Sequence, residues 1–160
     1  MGKCKVLFNL DQFMLDEQTL WPPSVVETMW AEQLDSRTAR LLNYPFYAKG
    51  VNFLDEIRTK AEIPPELPEG GVAEFPEFES VTNRSGHRTV RTILRSDDRK
   101  QTAETALSDV ERLGCTWEST GGELVSIDIP PEVDQNKVMA VLDNAASTGA
   151  IYLDIGYLKI

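Results

Sequence analysis

A single histidine, His87, and two cysteines, Cys4 and Cys115, are all the imidazole and thiol side chains that the 160-residue chain holds. No CxxC pair or Cys/His cluster exists, which argues against a structural zinc site and against a secreted disulfide scaffold. No apolar run approaches the ~20 residues of a membrane span. The segment from Met1 to Phe8 lacks the long apolar region and small-residue cleavage site of a signal peptide. Val6 stands where a myristoylation motif beginning at Gly2 would carry Ser or Thr. Gly70-Gly71 and Gly121-Gly122 lack the spacing and lysine of a phosphate loop. Positive charge is also scarce: 16 Lys and Arg against 26 Asp and Glu leave a net charge of −10. That balance disfavours general nucleic-acid binding and anionic membranes, both of which require basic surfaces, and favours a basic partner by electrostatic steering. The expectation is a soluble cytoplasmic protein without cofactor or metal.

Apolar content of 41% and charged content of 26% are ordinary for a globular chain, and the length suits one domain or two small modules. The most informative stretch runs from Asn83 to Arg95. It contains His87, and with Arg99 and Lys100 it carries six of the sixteen basic residues. It also separates two patterns. Before it, Lys5 to Leu10 is rich in strand formers. Asp11 to Pro23 is mixed, and Pro22-Pro23 forbids a regular element there. Val25 to Leu34 fits either a helix or a strand with Glu27, Met29, Ala31 and Gln33 on one side; the strand is preferred because strands follow. Asp35-Ser36-Arg37 is a turn signal before Thr38 to Leu42. An aromatic loop leads to a strand from about Glu56, and Phe78 to Asn83 returns as another. Ile63 to Pro76 is proline-broken and predicted to be an exposed connection. These short strands predict a small SH3-like β-barrel over residues 1–86.

Beyond the stretch the periodicity is clear. Thr89 to Arg95 is a strand, and Asp97 or Asp98 caps a helix whose stripe is Ala103, Ala106, Leu107, Val110 and Leu113. Gly114 follows as a helix stop. Short strands at Cys115 to Glu118 and Leu124 to Ile129 precede a second helix, capped by Asp134, with Val138, Val141, Leu142 and Ala145 buried. Ile151 to Leu158 closes the series. The order β-α-β-β-α-β predicts a ferredoxin-like unit over residues 87–160, with sheet order 4-1-3-2 and one helix-free face left available. Arg91, Ile93, Arg95, Ser126, Asp128, Tyr152 and Asp154 fall on that face. The fold class is therefore α+β.

Met29-Trp30-Ala31-Glu32, Leu42 to Val51, Leu54-Asp55-Glu56-Ile57 and Ser85 to Arg91 resemble an uncharacterised bacterial family known as a domain of unknown function. Leu113 to Glu118 and Ile127 to Pro131 are similar to its C-terminal half, so the resemblance covers most of the chain. Tyr44 and Tyr47 depart from the isoleucine and phenylalanine of the family pattern. The resemblance implies a role as an immunity protein beside a secreted toxin, and it supplies no reaction, cofactor or catalytic residue.

Each candidate site has a plain structural rival. Ser85-Gly86-His87 can be read as a nucleophile beside a base, but adjacent residues rarely reach triad geometry and no oxyanion motif accompanies them. A turn glycine with a locally bonded serine is the simpler reading. The pairs Asp16-Glu17 and Asp97-Asp98 fit a loop and a helix cap better than a metal site. Arg84, His87, Arg88, Arg91 and Arg95 form a candidate anion site, in competition with cross-strand pairing of Arg91 and Arg95 to Asp128 or Asp154. Of the aromatic loop, Phe46 and Phe53 are expected in the core, while Tyr44 and Tyr47 fit either core or interface. The leading expectation is a non-enzymatic binding protein that occludes a basic toxin domain. Its contacts would be Tyr44 and Tyr47 with Glu66, Glu69, Glu74, Glu77 and Glu79. The alternatives are a regulatory module binding a small anion at the arginine-rich strand, or an enzyme using His87.

Overall fold

The computed structural model describes residues 2–14 and 17–157, with side chains described as far as residue 153. Asp16, Leu158 and the side chain of Asp154, all named above, lie outside the described residues. The chain divides into two units, Met1–Ser85 and Gly86–Ile160, one residue ahead of the boundary read from the sequence.

The first unit is built on alternation. Its strands are β1 (Lys3–Asn9), β2 (Phe13–Met14), β3 (Leu20–Trp21), β4 (Val26–Gln33), β5 (Thr38–Leu41), β6 (Glu56–Thr59) and β7 (Phe78–Asn83). Five of them form one sheet in the order β1-β4-β5-β6-β7, with every neighbouring pair antiparallel. Within the stretch from Val25 to Leu34, Val26–Gln33 is a strand, as preferred: Met29 and Ala31 are buried while Trp30 and Glu32, which alternate with them, are exposed, a period of two. They meet Val6 and Phe8 of β1, Ala39 and Leu41 of β5 and Ile57 of β6 in one core. Phe8 stacks on Phe78 at 4.9 Å between ring centroids. Asp35 makes the expected turn, its Oδ1 accepting from the N–H groups of Arg37 and Thr38, both at 2.8 Å. These bonds, the one to Arg37 first, lower the pKa of its carboxyl.

Two expectations fail here. The sheet is not a closed barrel. Its edge strand β1 meets the segment before β7 at one isolated parallel bridge, Leu7 with Glu77, where the Leu7 N–H donates to the Pro76 carbonyl at 2.9 Å. Proline has no N–H to return, so a ladder cannot continue through this proline-rich stretch. Ile63 to Pro76 carries only a short 3-10 turn at Val72–Glu74, while Ile63 itself is buried in the core. Secondly, the segment before Pro22 is regular. Phe13 pairs with Trp21 and Met14 with Leu20, forming a separate two-stranded hairpin. Proline at 22 ends that hairpin and does not prevent it.

The second unit contains β8 (Arg88–Leu94), α1 (Lys100–Arg112), β9 (Thr116–Ser119), β10 (Leu124–Ile129), α2 (Gln135–Ser147) and β11 (Ile151–Tyr157). Its antiparallel sheet runs β11-β8-β10-β9, the order expected from the sequence. Val90, Val125, Ile127, Ile129 and Ile151 pack on Ala103, Ala106, Leu107 and Val110 of α1 and on Val138, Leu142 and Ala145 of α2. Leu113 and Val141, placed on the same stripes, are half-buried.

Both helices stop in the same way. The N–H groups of Gly114 and Cys115 donate to the carbonyls of Glu111 and Val110, and those of Gly149 and Ala150 to Ala146 and Ala145. These are Schellman closures, with glycine at φ 109° and 79°. Asp134 caps α2 through the Asn136 N–H at 2.9 Å. Neither expected aspartate occupies the α1 cap. That position is Arg99, and Asp97 lies two residues before it, accepting from the Arg99 N–H at 3.0 Å. Thr89, Arg91, Ser126 and Asp128 are all buried, and Tyr152 at one end is exposed.

Candidate functional site

The loop between β5 and β6 has little regular structure, so its backbone N–H groups need partners from elsewhere. Carboxylates supply them. Glu27 accepts from Phe46 (2.7 Å), Tyr47 (2.9 Å) and Ala48 (2.7 Å). At the far end of the loop, Asp55 is fully buried and accepts from the N–H groups of Asn52 and Ser85, each at 2.9 Å, and from Arg84 Nη1 at 3.1 Å. Ser85 Oγ donates to the Phe53 carbonyl at 2.7 Å, and Asn43 Oδ1 accepts from the Trp30 N–H at 2.6 Å. The motif residues Asn43, Asp55 and Ser85 thus shape the loop.

The loop's buried members are Pro45, Ala48, Val51, Asn52 and Asp55; Phe46 and Phe53, expected in the core, are half-buried. Small side chains fit beneath a backbone drawn down onto Glu27, and the larger rings are left at the margin. Tyr44 packs edge-on against Phe53 (4.9 Å), and Tyr47 against Trp21 of the hairpin (5.7 Å). Burial first and the Glu27 charge second raise the pKa of the Tyr47 hydroxyl.

That contact positions the hairpin. Directly paired strand residues share a face, so Phe13 and Trp21 lie on one side and Met14 and Leu20 on the other. The first side meets Tyr47 through Trp21 and Lys49 through Phe13. The second carries Met14 and Leu20, 53% and 50% exposed, and Phe13 on the first side is itself 48% exposed. Two-stranded hairpins are marginal alone in water, and exposed large apolar groups of this density mark contact surfaces. The sequence signal for it was two apolar pairs, Phe13-Met14 and Leu20-Trp21, around the acidic Asp16-Glu17, and the following prolines obscured it.

The basic residues do not form one open site. Arg84 serves the loop, holding the Gly50 carbonyl as well as Asp55. In the second unit, Arg88 is buried and donates to Pro130 and Val133 carbonyls (2.8 Å each) and to Gln135 Oε1 (3.1 Å). Arg95 does not reach Asp128; it binds Asp97 and the Tyr152 hydroxyl. Arg91 is fully buried, in register with Ser126 and Asp154. Asp128 instead lies 2.8 Å from His87 Nδ1. Burial raises the Asp128 pKa, and the His87 hydrogen bond acts against that rise. A buried carboxylate that fixes an imidazole can serve either packing or proton transfer.

Of the acidic candidates, Glu77 pairs with Lys60 (2.8 Å), Glu79 with Arg58 (3.3 Å), and Glu74 accepts from the Gly70 N–H (3.1 Å). Glu66 and Glu69 are exposed. Both cysteines are free and buried, and desolvation pushes the Cys115 thiol up to about 11. Among the described residues no group of three or more His, Cys, Asp or Glu could hold a metal ion, and no helix is long and apolar enough to cross a membrane.

A five-stranded antiparallel sheet with its hairpin, followed by a four-stranded sheet under two helices, defines a mixed α/β protein of two units. The chain belongs to the family described as a domain of unknown function, DUF4265, which it matches over residues 27–152. That span begins at the loop-holding Glu27, and the hairpin precedes it. A solved structure described as a hypothetical protein from Neisseria gonorrhoeae is similar in fold, with a TM-score of 0.72, 12% identity, and coverage of 100% of this chain and 98% of that one. No curated protein matches the chain.

Proposed function

We propose that this chain is a non-enzymatic, cytoplasmic binding protein of the immunity type, which neutralises a cognate toxin domain by covering it. In this reading the second unit is a ferredoxin-like scaffold and the first is an opened relative of the SH3-like barrel. The observation that carries the proposal is the hairpin: Met14 and Leu20 stand about half exposed on its outward side while Trp21 is braced by Tyr47. Anchors of this kind dominate interface energetics, with a few large side chains carrying most of the affinity. The net charge of −10 supports a basic partner, with Glu66 and Glu69 as steering charges and Tyr44 and Tyr47 at the margin of the contact. The arginine-strand alternative is less well supported, because an anion would have to displace carbonyl and carboxylate partners already engaged by Arg84, Arg88 and Arg95.

The test is co-expression with any candidate toxin domain encoded beside the gene, followed by binding measurements. Wild type should form a complex. Met14→Asp with Leu20→Asp should weaken it by roughly 30-fold or more, the hot-spot scale. Glu66→Lys with Glu69→Lys should slow association and flatten its salt dependence. Absence of any complex, or loss of protection only in a folded His87→Ala variant, overturns the proposal.

A further inference from the structure

Lys5 and Trp30 face each other across β1 and β4. They lie on the outer side of the sheet, since Val6 and Met29 beside them are core residues. The Lys5 Nζ sits 4.6 Å from the Trp30 ring centroid and 5.6 Å from that of Phe75, which the proline-rich connection brings over β1. Among the described residues Lys5 has no carboxylate partner. Its ammonium is therefore balanced by two π faces, which attract cations through their quadrupoles. Trp30 keeps 36% of its surface exposed, so the clamp opens to solvent. Glu66 and Leu67 line a small cavity beside Lys5, placing an acidic side chain and an apolar one at its rim.

We propose that Trp30 and Phe75 form a binding site for an alkylammonium or guanidinium group, with Lys5 as its tethered internal occupant. A lysine or arginine side chain of a basic partner enters by displacing Lys5. That choice of source rests on the occlusion reading above; the clamp's affinity for a cation does not. The contact is sequence-neutral beyond charge and shape, as suits an anchor supplementing the hairpin. Lys5 keeps the clamp filled, so an incoming cation must compete with a tethered one, and weak cations are rejected.

The test removes the occupant. Lys5→Met keeps an unbranched stem and deletes the charge. Wild type and variant are titrated with tetramethylammonium chloride at constant ionic strength, following the Trp30 indole N–H by NMR, assigned through Trp30→Phe. The variant should show a saturable shift with an affinity at least tenfold above wild type. Neutral tert-butanol should give no such shift, and adding Phe75→Leu should remove the tenfold gain. Should methionine disturb the sheet, seen as collapse of indole dispersion, Lys5→Gln carries the same comparison. No saturable shift in a folded variant, or equal response in variant and wild type, overturns the site. Since the titration uses no toxin, a silent clamp leaves the occlusion reading standing. A responsive clamp with no toxin complex leaves the site standing and removes that reading.

Discussion

In the first unit, the segment between β5 and β6 is held by carboxylates reaching backbone N–H groups, Glu27 at one end and Asp55 at the other. In the second, the helices end on glycine closures made by the backbone alone, and only α2 begins on a side-chain cap. The cores do not account for the difference, since each mixes small and large apolar residues: Ala31, Ala39 and Ala48 beside Phe8, Met29 and Leu41 in the first, and Ala103, Ala106 and Ala145 beside Leu107, Ile127 and Leu142 in the second. The irregular backbone between β5 and β6 instead depends on individual polar contacts, because no ladder or helix pairs its N–H groups. The comparison teaches that single polar substitutions should be most damaging where regular structure is least.

Asp55→Ala breaks that comparison most directly. It strands the N–H groups of Asn52 and Ser85, and each orphaned buried donor costs about 1–3 kcal/mol. The expected loss is about 3 kcal/mol in urea unfolding, with Asp55→Asn recovering part of it. A loss under about 1 kcal/mol would mean that water or neighbouring groups replace the carboxylate and that the loop is not held as described.

A smaller effect belongs to Cys115 in the second unit. Its thiol titrates at about 11 in the folded chain instead of 9.0. The raised value means that the folded state keeps its proton while the unfolded chain loses it. Stability is therefore whole below pH 9 and falls as pH climbs from about 9 to about 11, by about 2 kcal/mol. Urea melts across that range should show the decline, and Cys115→Ala should flatten it. The folded thiol should also react far more slowly with a disulfide reagent at pH 8 than the unfolded one.

The smallest change sharpens the contrast. Asp134→Ala removes one cap from a helix that keeps its packing and its glycine stop, and should cost about 1 kcal/mol. Measured by Trp117 fluorescence during unfolding, a loss matching that of Asp55→Ala would erase the distinction between the two regions.

Local chemistry made much of the second unit readable. Residues at helical spacing such as Ala103, Leu107 and Val110, stops at Gly114 and Gly149, and the alternation of Leu124 to Ile129 all act within a few positions. Glu27 shows the limit. Nothing adjacent to it predicts that its carboxylate binds residues 46–48, because that contact exists only once β4 and the loop are assembled. The Phe13–Trp21 hairpin was missed for a related reason: two residues per strand are too few to establish a period, and pairing alone reveals them.

By itself, then, the sequence determined the strand and helix series after Arg88, the alternation of β4, the turn at Asp35 and the proline-broken character of residues 63–76. Each depends on short-range periodicity or on backbone restrictions of Gly, Pro and Asp. Tertiary structure alone decided that the first sheet stays open beyond the Leu7–Glu77 bridge, that Asp128 takes His87 while Arg95 takes Asp97, and that the aromatic side chains at 46 and 53 yield the core to Ala48 and Val51. Those outcomes depend on groups distant in sequence meeting at a limited number of hydrogen bonds and buried positions, and only the packed arrangement sets which groups meet.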